Sequence, residues 1–508
     1  MIDNIKTILG SLVGKHKPSD STVSATLLVK NLPGDEYYTT LIEVIKAVSK
    51  INKDATVTLK DRISTLLYVD SQSVGMHSKL CSEFLCGSPR SKSFLPSILS
   101  YWTELSNGYQ LCLRQMHSAK NFVVDSNIEL ATARALHHQL SLVKWSALRY
   151  ISAEGNTWQQ AYHLYQFAEQ EQFHTKRIAL YDRLNSSISP EELLIQAAML
   201  HLAQTDNLLP QEIEAIHLLL ERLVEGVQLE LQATQSEFQY VINLDMPAAP
   251  QLLRRGVLGK GCRYWSGDHV VNRLADLILD FDQGIPEAFA RALPEMSLEL
   301  WRDMLQKLST RWSQDGGKSM RRHERLSSTG QARVEVGFER IAHHLKVNRN
   351  LPLGDDNLVP EWRVNDTSEV GMGLIYIGRA VESLIIGRSI WVSQKDRPNQ
   401  LGIIRRVQRL PEGGTRIGVE VLGSLPLPVI LSENEREAIS NHNGLYVTQT
   451  NAQKGKRVFI VPKSFAKPGK LLNFLANGKS YQIRISSVIS QFEDCHQVEF
   501  ETLERLSD

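Results

Sequence analysis

Two short runs in this chain carry side chains suited to a charged nucleotide. The first is Arg321-Arg322-His323-Glu324-Arg325 and the second is Asp366-Thr367-Ser368-Glu369-Val370-Gly371. Arginine grips phosphate well because its planar fork donates two parallel hydrogen bonds and stays charged. The same plane can stack on a purine ring. An Asp carboxylate and a Ser hydroxyl beside a glycine can address base edges, because glycine lets the backbone come close. The chemistry implied is a hold on phosphodiester charge together with recognition of a guanine edge.

The other candidate groups point to less. The five cysteines, Cys81, Cys86, Cys112, Cys262 and Cys495, are odd in number, and their spacing matches no zinc pattern. Cys81 and Cys86 are expected to be buried helix residues, and the overall usage fits a reducing compartment. Gly256-Val257-Leu258-Gly259-Lys260-Gly261 has the look of a phosphate loop but lacks the Lys-Ser/Thr ending, so a loop beside helices is expected. The adjacent pairs His137-His138 and His343-His344 diverge in direction on either a helix or a strand, which disfavours a metal centre. Asp276, Asp280 and Asp282 have no partner histidine and read as a helix end. No nucleophile–base arrangement stands out.

The elements that must position the two runs follow from composition and period. The chain has 508 residues, which calls for several domains, with 42% hydrophobic and 22% charged residues, as in ordinary globular proteins. A net charge of +1 gives no bulk attraction for nucleic acid, so any phosphate site must be local. The start, Met1 to Lys6, carries an acid early, and the apolar patch from Ile8 to Val13 is short. Neither a secretory signal nor a membrane span is expected. Residues 14–24 read as a flexible leader, and Ala25 to Val29 as a short strand or extended segment. Residues 75–312 read as helical, with amphipathic stretches Phe94–Met116, Ile128–Ile151, Thr157–Leu184, Pro190–Ala203 and Gln211–Leu231. Ser189-Pro190-Glu191-Glu192 is a helix start with an N-cap serine and a capping-box glutamate. Trp158, Ala161, Tyr162, Tyr165 and Ala168 share one helical face. Their mix of small and aromatic residues resembles tetratricopeptide helix pairs, though without a repeat period, and reads first as helix–helix core.

Beyond Gly316-Gly317 the pattern changes to alternating β-branched residues and glycine-rich turns. Strands are expected at Ala332–Phe338, Gly373–Ile377, Ser389–Ser393, Leu401–Val407 and Arg416–Leu422. A second set is expected at Gly444–Thr448, Arg457–Val461, Tyr481–Ser487 and Gln497–Thr502. Closely spaced antiparallel strands of this kind make small barrels.

The ordered pair RxxxR and DxSxxG, followed by Leu401–Val407 and Arg416–Leu422 as closing strands, resembles the PilZ family of cyclic di-GMP receptors over about residues 317–424. The resemblance implies that Arg321 and Arg325 hold phosphates and stack on guanine, with Arg322 beside them. It further implies that Asp366 and Ser368 bond a guanine edge and that Gly371 permits the turn. It implies no metal and no cofactor beyond cyclic di-GMP as ligand. The chain departs from the family pattern in the long stretch from Arg325 to Asp366, which includes a polar loop at Asn348–Pro360. It departs again in Thr367, where an apolar residue is usual. The signatures of cyclic di-GMP synthases and hydrolases do not occur, so a non-enzymatic reader is expected.

The expected fold class is α+β multidomain: an α-helical N-terminal scaffold, a PilZ-like six-stranded antiparallel β-barrel and a second small β-barrel-like unit. The expected boundaries are 1–70 for a leader and mixed segment, 71–312 for the helical scaffold, 313–425 for the barrel and 426–508 for a degenerate companion. The expected function is a cytoplasmic receptor whose helical region meets a protein partner. The resemblance implies an output in motility, pili, attachment or biofilm; no nucleic acid and no membrane insertion are expected, and any membrane or polar placement would come through a partner. The competing expectation is an interaction scaffold whose barrel has lost its ligand. A third, an enzyme in the helical region, would need a pocket of titratable groups there.

Overall fold

The structure is a computed structural model that describes residues 19–30, 37–87, 90–119, 127–182, 187–233, 238–253, 259–313, 326–347, 362–378, 384–395, 397–433, 442–449, 455–476 and 479–506. The chain forms two compact units. The first comprises Met1–Leu148, Ala153–Thr205 and Pro210–Lys318, and the second Arg149–Ser152, Asp206–Leu209 and Ser319–Asp508.

The first unit is mainly helical. Its helices are α1 (Asp20–Lys30), α2 (Tyr37–Lys53), α3 (Leu59–Leu85), α4 (Ser91–Ala119), α5 (Ile128–Leu148), α6 (Gly155–Gln170), α7 (Pro190–Leu202), α8 (Pro210–Leu223), α9 (Asp268–Gln283), α10 (Glu287–Ala292) and α11 (Leu298–Trp312). The start of α7 is the capping box read from sequence. Glu192 N–H donates to Ser189 Oγ at 3.1 Å, and the Ser189 N–H donates to the Glu192 carboxylate at 3.0 Å. Trp158, Ala161, Tyr162, Tyr165 and Ala168 on α6 are all buried, as a packing face requires.

Several expectations are corrected here. Residues 20–24 are not a leader, and Ala25–Val29 is not a strand. Both lie in α1, whose buried Ser21, Thr22, Ala25, Thr26 and Val29 recur at helical spacing, so packing overrides their β-leaning side chains. The helix expected over Thr157–Leu184 stops at Gln170. Gln172 takes a left-handed φ of 62°, and the chain then forms a two-residue pairing of β1 (Ile178–Ala179) with β2 (Ser187–Ile188). The stretch read as helical to 312 also contains a three-stranded sheet of β3 (Tyr240–Asn243), β4 (Gln251–Leu252) and β5 (Cys262–Trp265). All four residues of β5 are buried, so it shows no alternation to separate it from a helical core segment. Cys81 is only half-buried and Cys86 is exposed at the end of α3, so that pair is not a buried one.

A buried carboxylate ties this unit together. Asp70 on α3 accepts hydrogen bonds from Tyr109 at 2.9 Å, Tyr181 at 3.0 Å and Tyr101 at 3.3 Å. It faces His138 Nε2 at 3.0 Å and Arg134 at 3.6 Å. Burial alone would push its carboxyl pKa up. The charges of His138 and Arg134 and the tyrosine hydroxyl outweigh that and hold it well below the usual range.

The second unit consists of two fused barrels. The first ring runs β6 (Leu326–Val336), β7 (Trp362–Thr367), β8 (Gly371–Tyr376), β11 (Thr415–Ser432), β10 (Arg397–Arg409) and β9 (Ser389–Gln394), which returns to β6. The second runs β11, β12 (His442–Gln449), β13 (Arg457–Val461), β16 (His496–Leu506), β15 (Lys479–Gln491) and β14 (Leu471–Ala476), which returns to β11. Both rings are antiparallel and six-stranded, so the α+β multidomain reading with a six-stranded barrel followed by a second small barrel holds. Val364, Leu374, Ile390, Ile404 and Val419 fill the first barrel, and Leu431, Phe459, Leu472 and Ile485 help fill the second.

Three elements here were not read from sequence. These are β7, β14 and a helix, α12 (Phe338–Val347), which begins where the first expected strand was to end. Phe338, Ile341 and Ala342 of α12 pack between the barrels, against Leu401 and Leu422 of the first and Leu445 and Ile460 of the second. The helix is capped from afar, the Phe338 N–H donating to Asp494 Oδ2 at 2.7 Å.

The helical unit is expected to lose stability in acid. Burial drops the pKa of His77 and of His137 to about 3, from 6.5. Their stabilising contribution is therefore complete above pH 6.5 and declines as pH falls from there toward 3, by up to about 1.4 kcal/mol per pH unit for each histidine. Asp70 adds a further loss once pH falls below its ordinary value of 3.8. Denaturant midpoints that stay flat from neutral pH to pH 5 would contradict this. Asp70→Ala, which strands Arg134 and His138, is expected to cost about 3–5 kcal/mol in the same measurement.

Candidate functional site

Asp366, Ser368 and Gly371 come together at one hairpin of the first barrel. Strand β7 alternates Trp362 and Val364 inward with Arg363 outward, then breaks its register between Val364 and Asp366. This bulge inserts Asn365 as the extra residue. Its effect is to set Asp366 on the outer face, in register with Ser327 of β6 on one side and Gly373 of β8 on the other. The carboxylate lies over Gly373. A β-carbon there would stand 2.6 Å from Asp366 Oδ2, so only glycine leaves the carboxylate this position. Asn365 Nδ2 donates to the same oxygen at 2.8 Å.

The hairpin tip is held by the serine and the glycine. The Ser368 backbone N–H and hydroxyl both donate to the Gly371 carbonyl, at 2.7 and 3.1 Å. With its proton so used, the Ser368 oxygen keeps lone pairs for a donor on a ligand. The tip is also tied sideways, the Val421 N–H donating to the Val370 carbonyl at 3.0 Å. Gly371 is required by close approach, since a β-carbon would stand 3.0 Å from the Val419 carbonyl oxygen. Thr367, at the position noted as a departure, is buried and points inward. A small polar residue is thus accommodated without altering the outer face.

Arg321, Arg322 and Arg325 lie outside the described residues. What is described is the strand they lead into. Leu326, the next residue after Arg325, is paired with Thr367, and Ser327 is paired with Asp366. The polar loop Asn348–Pro360 is likewise outside the described residues.

The remaining sequence candidates do not gather into a site. His138 is engaged by Asp70, while His344 packs against Trp391 with ring centroids 4.8 Å apart. Asp276, Asp280 and Asp282 lie on α9 toward its C-terminal end. Gly256, Val257 and Leu258 fall outside the described residues, and Gly259 and Lys260 lead into β5. Among the described residues no group of three or more His, Cys, Asp or Glu is arranged to hold a metal ion. Nor is any helix among them long and apolar enough to cross a membrane. Sequence reading missed Gly373. Its only local signal is a second glycine two residues after Gly371 within a strand, which marks close approach by another group.

Residues 23–235 match the family described as "Cyclic-di-GMP receptor FimW, N-terminal domain". No curated protein and no solved structure matches the chain. The matched residues lie before the barrel hairpin in the sequence and do not include it.

The two glycines are expected to differ in what they tolerate. Gly371→Ala presses its methyl on a backbone carbonyl that cannot swing away, and should lower stability by about 1–3 kcal/mol. Gly373→Ala meets only the end of a side chain, so it should melt close to the parent while turning the Asp366 carboxylate aside. Thermal unfolding of the two variants side by side decides this, and equal destabilisation would refute the assignment.

Proposed function

We propose that the chain is a non-enzymatic receptor for cyclic di-GMP, with the nucleotide bound on the outer face of the first barrel. Arg321 and Arg325 grip the phosphodiesters, with Arg322 beside them, while Asp366 and Ser368 bond a guanine edge. The observation that carries this reading is a coincidence of two independent signals. The helical half resembles the N-terminal domain of a cyclic di-GMP receptor family. The other half, outside that match, presents a DxSxxG hairpin with its Asp held outward by a bulge, beside the strand that RxxxR enters. The second signal resembles the PilZ pattern noted in the sequence.

The chemistry fits the ligand. Each charge-assisted hydrogen bond contributes about 1.5–3 kcal/mol, so a handful reaches the roughly 8 kcal/mol of micromolar binding after the general costs of association. On this reading the protein acts through a partner at its helical region, in motility, pili, surface attachment or biofilm, without inserting into a membrane.

Calorimetric titration of the full chain tests the proposal. Cyclic di-GMP should give a saturable heat that GTP does not match. Arg321→Ala/Arg325→Ala should abolish it, and Asp366→Ala should weaken it by roughly tenfold or more. Absence of binding up to high micromolar nucleotide would leave the scaffold with a ligand-free barrel as the correct account.

A further inference from the structure

The two rims of the first barrel are closed by different parts of the chain. Register places Trp362, Tyr376, Thr415 and Arg409 in one row across β7, β8, β11 and β10, and this row is one rim. The hairpin tip, Ser368 to Val370, joins β7 to β8 at the other. The first rim is filled by residues from far earlier in the sequence. Arg149–Ser152 begins just after the last residue of α5, and Asp206–Leu209 ends just before the first residue of α8, yet both segments belong to the second unit. Tyr150 is buried in the same core as Trp362, Val364, Leu374 and Ile417, and Leu209 packs against that core. The Tyr150 carbonyl accepts from the Arg409 N–H at 2.8 Å, and Ile151 is bridged in parallel to Arg409, so the segment adds one residue to the ladder. The Tyr150 hydroxyl donates to the Leu208 carbonyl at 3.0 Å, which ties the two segments to each other. Gln408 Nε2 donates to Ser152 Oγ at 3.4 Å.

Tyr150 holds a left-handed φ of 57°. A bulky residue adopts that conformation only where its surroundings over-determine it. Here ring, carbonyl and hydroxyl are all engaged within the barrel unit. The two segments also have almost no slack. Leu148, the last residue of α5, is two residues from Tyr150, and Pro210, the first of α8, directly follows Leu209. Each peptide unit spans about 3.8 Å between Cα atoms, so those two helix ends are held close to whatever holds Tyr150 and Leu209. Both segments lie within residues 23–235, the stretch that matches the receptor family's N-terminal domain. Part of the matched stretch is thus part of the barrel unit.

We infer that Arg149–Ser152 and Asp206–Leu209 form a plug through which the state of the first barrel governs the ends of α5 and α8. While the barrel core is closed around Tyr150, the two helix ends are pinned. When the core loosens, they are released with it. The device works whatever the barrel binds. On the receptor reading proposed above it gains a use. The hairpin strands β7 and β8 run from the candidate site to the rim that Tyr150 fills, so tightening at one rim reaches the helix ends at the other. The coupling is carried by one packed core and two short covalent connections, which is a contiguous physical path.

Amide hydrogen exchange of the full chain, read peptide by peptide, tests this first without ligand. Ile390→Val leaves both plug segments intact and opens a one-methyl cavity in the barrel core, opposite Gly402 and well along β10 from Arg409. It is expected to speed exchange roughly fivefold in the barrel strands and at the ends of α5 and α8 alike, with α2 unchanged. Tyr150→Ala should speed exchange at both helix ends roughly tenfold or more. Tyr150→Phe keeps the ring and loses only the bond to Leu208, so the start of α8 should exchange about threefold faster while the barrel strands stay near the parent. Helix ends that exchange in Ile390→Val as they do in the parent overturn the inference, whether or not Tyr150→Ala folds. So does a folded Tyr150→Ala whose helix ends keep parental rates. Cyclic di-GMP is then added to the parent. Binding with slowed exchange at the two helix ends supports the plug as the output path, and binding without it refutes that path. If no nucleotide binds, the receptor reading alone fails, because the ligand-free comparison has already decided the plug.

Discussion

Strand β11 is the constraint on which the second unit depends. It is 18 residues long and closes both rings, pairing with β8 and β10 in its first half and with β12 and β14 in its second. To serve both it must change direction. Gly423 lies under β12 so closely that a β-carbon would stand 2.3 Å from the Thr448 carbonyl oxygen, and Leu425 takes a left-handed φ of 50° just beyond. Pro426 then falls inside the register break between Ser424 and Leu427, where no ladder N–H is needed. Closure removes the free edges that an open sheet would leave for aggregation. It also fixes the register of β11 against its neighbours on either side. The pairings of Gly418 with Gly373 on β8 and with Arg406 on β10 express that register, so a change in how β11 turns would slip the outer face of the first barrel.

The candidate site was legible only where its chemistry is local. Asp366, Ser368 and Gly371 lie within six residues, and their types and spacing were enough to read a turn there. The structure adds why that spacing works, because serine and glycine close the tip while aspartate points out. Nothing in the sequence announces that Asn365 and Arg405 are the extra residues of two bulges. Bulge position is set by cross-strand packing, as Val364 must face inward opposite Leu374 and Ile404 opposite Val419.

The same division between local and distant signals runs through the fold. The start of α7 could be read because Ser189 and Glu192 satisfy each other over three residues. The start of α12 could not, because its cap comes from Asp494, 156 residues away. Its apolar residues Phe338, Ile341 and Ala342 follow at helical spacing directly after a true strand, so the strand reading ran on into it. Asp70 is the extreme case. It is an ordinary aspartate in the sequence, and it becomes the hub of the helical unit only when tyrosines from positions 101, 109 and 181 arrive around it. A buried charge of this kind is weak evidence for high stability, since desolvation opposes it. It does specify which helices and loops must meet, because any other arrangement leaves the carboxylate unsatisfied.

Net charge bears on what kind of recognition the proposed receptor site could perform. With a formal charge of +1 over 508 residues, the chain has no long-range field to concentrate anions, and a screening length of about 8 Å at physiological salt confines each arginine to its neighbourhood. Discrimination must then come from edges and geometry. Strand register supplies that geometry in advance, since Asp366, Gly373 and Gly418 are held by ladder hydrogen bonds and the Ser368–Gly371 turn by two more. Groups already fixed lose little entropy when a ligand arrives, so their bonds count almost in full toward affinity. On the receptor reading proposed above, base recognition would fall to these ladder-held groups, whose geometry is set before any ligand arrives.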